Sequence, residues 1–120
     1  LIKDNHVDFA GGLPQAISAA RNYLSRKGLD LPIVVETRDL GEVRLVLATG
    51  GVDRIMLDNF PLPELRKAVR AIGGTFATEA SGGITLTTAK KVARCGVDMI
   101  SVGALTHSVM SMDMSLKAVR

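Results

Sequence analysis

Cysteine is nearly absent from this chain. Cys95 is the single one in 120 residues. That excludes an intrachain disulfide and any cysteine-rich metal site, and it agrees with a reducing compartment. Aromatic residues are almost as scarce: Phe9, Tyr23, Phe60 and Phe76, with no tryptophan. So few rings make a poor stacking platform for nucleic acid. They also leave the core to Val, Ile, Leu, Ala and Met. No run approaches the roughly 18 apolar residues of a membrane-spanning helix, and the opening residues are too polar for a secretory signal. The expectation is a cytoplasmic chain with no membrane partner; an organelle would need a transit segment upstream.

What is present is ordinary in amount and ordered in pattern. The hydrophobic content is 47% and the formal net charge +3. The positive charge is dispersed. Arg66, Lys67 and Arg70 share one predicted helix, and Lys90, Lys91 and Arg94 share another. A solvated basic exterior and attraction of a small anion both fit; nucleic acid does not. Short apolar runs bounded by Gly, Pro or Asp read as strands: 31–36, 54–58, 75–80 and 98–103. Amphipathic stretches between them read as helices: one running from Leu40 to Gly50, one from Pro63 to Gly73, one from about Thr85 to Gly96. A longer helical pattern covers Leu13 to Lys27 and closes at Gly28.

The units repeat. Glu36, Asp58, Ala80 and Val102 follow one another at intervals of 22 residues. One strand and one helix per unit, joined by short connections, predict a parallel sheet with helices as right-handed crossovers. The fold class is therefore α/β. Four such units, together with an opening strand at Ile2, amount to about half to two-thirds of a TIM-like α/β barrel, since a full barrel takes about 250 residues. The 120 residues read as the C-terminal part of a barrel domain, with an N-terminal domain and the first barrel units expected upstream.

Reactive groups of βα barrels lie at the carboxyl ends of the strands. That rule selects Lys3 to His6 after the first strand, Glu36 after the second, and Asp58 with Asn59 after the third. "EASGG" (79–83) ends the fourth strand and "VGALTHS" (102–108) the fifth. The period places Glu36, Asp58, Ser81 and Gly103 on one rim. Glu36 and Asp58 could merely cap the helices that follow them. Two acids at one phase of neighbouring strands favour function: hydrogen bonds to sugar hydroxyls, a hard metal ion, or general acid–base chemistry. Ser81-Gly82-Gly83 before a helix can present backbone N–H groups to a phosphate. Gly103 and Thr106-His107-Ser108 strengthen that reading, although His107 alone would be an ordinary loop histidine.

Five stretches, in order and with their gaps, carry a resemblance: "IKDNH", "VVETRDL", "IMLDN", "TEASGGI" and "GVDMISVGALTHS…MDMSL". Together they resemble the C-terminal part of the quinolinate phosphoribosyltransferases, the carboxylating nicotinate-nucleotide pyrophosphorylases. The resemblance runs across nearly the whole chain. It implies an enzyme that joins quinolinate to phosphoribosyl pyrophosphate with Mg²⁺, releasing nicotinate mononucleotide, pyrophosphate and carbon dioxide for NAD biosynthesis.

Position by position, the resemblance makes Lys3 the partner of a quinolinate carboxylate. It puts Glu36 and Asp58 near the ribose hydroxyls and the metal. Ser81, Gly82, Gly83, Gly103 and His107 surround the 5′-phosphate, with Asn5, His6 and Asn59 in support. One departure is visible: the family often has Glu-Val-Glu on the second strand, and here Val34-Val35-Glu36 lacks the outer acid. The arginine- and histidine-containing motifs that clamp the substrate carboxylates would lie upstream. The family also forms homodimers in which one subunit covers the other's barrel, so the isolated 120 residues are expected to be inactive. A relative linked to molybdenum transport with another acceptor, and a non-catalytic phosphate-binding or assembly module, are the competing readings.

Overall fold

The computed structural model describes residues 1–106 and 114. Two helices open the chain, α1 (Asp4–Ala10) and α2 (Leu13–Lys27). Strands and helices then alternate: β1 (Val34–Thr37), α3 (Leu40–Thr49), β2 (Arg54–Asp58), α4 (Leu62–Ile72), β3 (Ala77–Ser81), α5 (Leu86–Ala93) and β4 (Met99–Ile100). A single 3-10 turn, Gly103–Leu105, follows. The four strands form one parallel sheet in sequential order. Each neighbouring pair is therefore joined by a helical crossover, the α/β class read from the periodicity.

The expected elements form for the expected reasons. Strand β2 occupies the residues of its apolar run. Helix α2 ends where Gly28, at φ 62°, takes the left-handed conformation that closes the last turn. Helix α3 is capped by Asp39, whose carboxylate accepts from the Glu42 N–H at 2.9 Å. Pro61 stands at the N-cap of α4. Neither Glu36 nor Asp58 caps the helix that follows it, so the capping explanation for those two acids is excluded.

The opening of the chain departs from expectation. No strand forms at Ile2; it makes one isolated parallel bridge with Val35. Its N–H donates to Val34 O at 2.7 Å and its carbonyl accepts from the Glu36 N–H at 2.9 Å. Helix α1 begins at Asp4, so Asn5 and His6 sit on a helix and not at a strand end. The polar run cannot continue a buried strand, whereas Asp4 in a first helical turn meets the positive end of the helix dipole.

Strand alternation separates two faces. Val35, Thr37, Ile55, Leu57, Thr78 and Ala80 point to the helices and are buried. With Ile17, Val43, Val46, Leu65 and Ile72, the apolar four of these belong to the core. Truncating Leu57, which is fully enclosed, to Ala should cost about 2–5 kcal/mol. Glu36, Arg54, Met56, Asp58, Glu79 and Ser81 lie on the opposite face.

The average period conceals an uneven register. Glu36 pairs with Met56, Met56 with Glu79, and Glu79 with Met99. These steps are 20, 23 and 20 residues, where a uniform 22 was expected. Asp58 therefore pairs with Ser81, and Glu36 lies one pleat lower. The amino ends of the strands carry a repeated clamp. "GVD" occurs at 51–53 and again at 96–98. Asp53 accepts from the Ile33 N–H at 2.6 Å, and Asp98 accepts from the Thr78 N–H at 2.7 Å. Each carboxylate ties the start of its own strand to the preceding one.

Candidate active site

The carboxyl ends of the strands gather the polar groups. Asp58, the last residue of β2, accepts from Ser81 Oγ at 2.7 Å through Oδ1. Its other oxygen, Oδ2, accepts from Asn59 Nδ2 at 2.7 Å. Asn59 has φ 55°, the one non-glycine residue with positive φ among the described residues. Asparagine tolerates this conformation better than most residues. The Asn59 N–H also donates to the Ser81 carbonyl at 3.0 Å, which locks the two loop starts together.

Gly82 completes the arrangement. Its φ is 84°, and a Cβ there would collide with the Asn59 carboxamide. Its absence of a side chain thus makes room for the group that orients Asp58. Gly83 follows with φ 58°, and Thr85 then caps α5, its hydroxyl accepting from the Thr88 N–H at 3.3 Å.

Of the other expected residues, Lys3 and Gly103 flank this rim and Glu36 lies one pleat below it. Lys3 is exposed and follows the Ile2 bridge beside β1. Its N–H donates to His6 Nδ1 at 3.0 Å, which leaves the imidazole proton on Nε2. Glu36 is half-buried and shares its sheet face with Asp58. Gly103 opens the 3-10 turn beyond β4. Asp58, Asn59, Ser81 and Gly82 are brought into contact, whereas Lys3 and Gly103 flank them at opposite sides of the sheet. His107 and Ser108 lie outside the described residues.

A layer below lies Glu79, which opens the "EASGG" stretch and has no role in the expected site. Glu79 is buried, and its Oε2 accepts from Arg54 Nη1 at 2.8 Å. Its Oε1 accepts from Ser101 Oγ. Burial opposes ionisation of this carboxyl, but the Ser101 and Arg54 hydrogen bonds and the Arg54 charge outweigh it and hold the pKa below the ordinary glutamate value. Asp98 is likewise held low, chiefly by the Thr78 hydroxyl.

A cleft of about 310 Å³ opens between the loops after β2 and β3, lined by Phe60, Pro61, Ser81, Gly82, Ile84 and Lys91 among others. Leu57 and Ala80 also line it, which puts it on the helix side of the sheet. Glu36 and Asp58 do not line it, so it lies behind the rim and not over the paired acids. Among the described residues no cluster of three His, Cys, Asp or Glu could cage a metal. No helix there is long and apolar enough to cross a membrane.

Residues 1–117 match the model of the family described as quinolinate phosphoribosyl transferase, C-terminal domain. The chain belongs to that family. The chloroplastic nicotinate-nucleotide pyrophosphorylase [carboxylating] of Arabidopsis thaliana is 47% identical over 131 residues, covering 98% of this chain and 38% of the relative. A mitochondrial quinolinate phosphoribosyltransferase [decarboxylating] of Nicotiana tabacum is 44% identical, with 98% and 37% covered. The solved nicotinate-nucleotide pyrophosphorylase of Francisella tularensis superposes with a TM-score of 0.81 at 36% identity, covering 95% of this chain and 39% of that one. The chain thus spans under half the length of these quinolinate phosphoribosyltransferase relatives.

Proposed function

We propose that the full-length protein containing this chain transfers a phosphoribosyl group to quinolinate and decarboxylates the adduct. The products are nicotinate mononucleotide, pyrophosphate and carbon dioxide, in NAD biosynthesis. The observation that carries this reading is the Asp58 carboxylate, fixed through both oxygens by Ser81 and Asn59 at a parallel strand end. Departure of pyrophosphate leaves positive charge on the ribose. A preorganised carboxylate at its hydroxyls stabilises that charge without having to reorient. The ring nitrogen attacks C1 and becomes cationic, and the electron pair left by carbon dioxide flows into it.

In this reading Glu36 shares the ribose with Asp58, and Lys3 orients a quinolinate carboxylate, which is catalysis by positioning. The 5′-phosphate falls to the Ser81–Gly83 loop, Gly103 and His107. Because the Ser81 hydroxyl proton is directed at Asp58, the backbone N–H groups of Gly82 and Gly83 are the better phosphate donors. Asn5 and His6 support Lys3 from helix α1. A magnesium ion fits the donor set as part of a magnesium–phosphoribosyl pyrophosphate complex. Glu36 and Asp58 offer hard oxygen ligands, and Mg²⁺ ordinarily takes only one or two carboxylates beside phosphates and water. When bound it supplies charge neutralisation at the pyrophosphate.

The remaining barrel strands, the N-terminal domain and the substrate-clamping basic residues would be supplied outside these 120 residues. Exposed Phe9, Leu86 and Leu105 offer apolar surface for that region or for a second subunit of a homo-oligomer. The chloroplastic and mitochondrial names of relatives support an organelle as the alternative to a cytoplasmic compartment. Turnover of quinolinate by the full-length protein, followed as carbon dioxide, tests the substrate; Asp58→Asn in that protein tests the site.

A further inference from the structure

Glu79 has no role in the reaction outlined above, yet it is a buried carboxylate with one partner on β2 and one just beyond β4. Such a group is costly to bury unless it is well paired. Its two oxygens serve different neighbours: Oε2 takes Arg54 from β2 at 2.8 Å, and Oε1 takes Ser101 from the segment after β4. Glu79 and Ser101 stand one pleat before the rim, and Arg54 reaches Glu79 from the start of β2. Arg54 begins the strand that ends in Asp58, Glu79 precedes Ser81 by one pleat, and Ser101 precedes Gly103 likewise. The backbone continues the same tie, with the Ser101 N–H donating to Ala80 O at 2.9 Å.

We propose that Glu79 is a positioning residue of the active site, a bracket beneath the rim that sets Asp58, Ser81 and Gly103 at their mutual spacing. It touches no reacting atom; it acts through the strands that carry those residues. Naming its effect as one on phosphoribosyl transfer rests on the function proposed above. The backbone ladder and the Asp98–Thr78 clamp also hold β3 to β4. A purely structural Glu79 would therefore change stability alone, whereas a bracket changes the geometry of one substrate's site. Lys3, on the far side of β1, lies outside its reach, so the two substrates should respond differently.

The test is steady-state kinetics and amide hydrogen exchange on the full-length protein and its Glu79→Gln variant. Glutamine keeps the size but not the charge that Arg54 requires. The expected result is a kcat about tenfold lower and a KM for phosphoribosyl pyrophosphate about tenfold higher, with the quinolinate KM unchanged. Exchange at the Asn59 and Ser101 amides, both bonded across strands, should accelerate while that of the β1–β2 ladder does not. Unchanged kinetics and unchanged exchange in a folded Glu79→Gln protein would overturn the proposal.

Where Glu79→Gln fails to fold, the double variant Arg54→Met with Glu79→Met removes both charges and keeps the volume. A folded double variant with the same kinetic split upholds the bracket; one with full activity overturns it. A wild-type protein that releases no carbon dioxide from quinolinate refutes the proposed reaction, and the exchange comparison still decides the role of Glu79.

Discussion

Ser81 Oγ donates to Asp58 Oδ1 at 2.7 Å across the ends of two neighbouring strands. The register makes this possible: Asp58 and Ser81 are direct Cα partners in the parallel ladder, so their side chains leave the same face at the same height. With Asn59 on the second oxygen, the carboxylate is oriented before any substrate arrives.

Replacing Asp58 by asparagine in the full-length protein should leave the fold in place and remove the charge. Loss of a preorganised electrostatic partner of the transition state lowers kcat by about 10²–10³. Turnover alongside a thermal melt checks this, and unchanged turnover would take Asp58 out of the site.

Ser81→Ala removes one donor to a charged acceptor, an interaction of about 1.5–3 kcal/mol. The expected loss in kcat/KM is about 10- to 150-fold. In the Asp58→Asn background the same change should cost much less, since the two groups act as a unit. Full additivity in that double-mutant cycle would separate them.

Gly82→Ala should be harmful although it adds only a methyl group. The new Cβ runs into the Asn59 carboxamide, and φ 84° is strained for alanine. A stability loss of about 1–3 kcal/mol is expected, with loss of activity. Combining it with Asn59→Gly removes the collision, so denaturant melts should show part of the stability restored while activity stays low.

Acid should weaken the fold through Glu79 and Asp98. Both carboxyls are held below their ordinary values of 4.5 and 3.8 in the folded state. Their stabilisation is complete above those unfolded-state values and is lost as pH falls through the lower folded-state ones. Urea midpoints measured from neutral pH down to about pH 3 should fall most steeply below the ordinary carboxyl range. The double variant Glu79→Gln with Asp98→Asn should flatten that fall.

The sequence made the units legible because their apolar runs and helix stops are local signals. Strand β2 and helix α2 could be read nearly to the residue. The pleat-level register could not: steps of 20, 23 and 20 residues depend on how neighbouring strands slide. Helix α1 was missed because Lys3 to His6 looked like a strand's polar end, when Asp4 already begins a helical turn. Asp58 is legible from the phase, and Ser81 from the Ser-Gly-Gly stretch one residue past it. The bracket at Glu79 is not legible, since its partners are 25 and 22 residues away in the chain, on β2 and just beyond β4. The paired "GVD" segments were a signal available in the sequence, and their meaning as clamps needed the ladder.

The most direct measurement supplies the full-length protein with magnesium, phosphoribosyl pyrophosphate and quinolinate labelled in the carboxylate next to the ring nitrogen. Labelled carbon dioxide should appear in step with nicotinate mononucleotide, with almost none from the Asp58→Asn protein. A folded wild-type protein that releases no label, or an Asp58→Asn protein that releases as much as wild type, would contradict it.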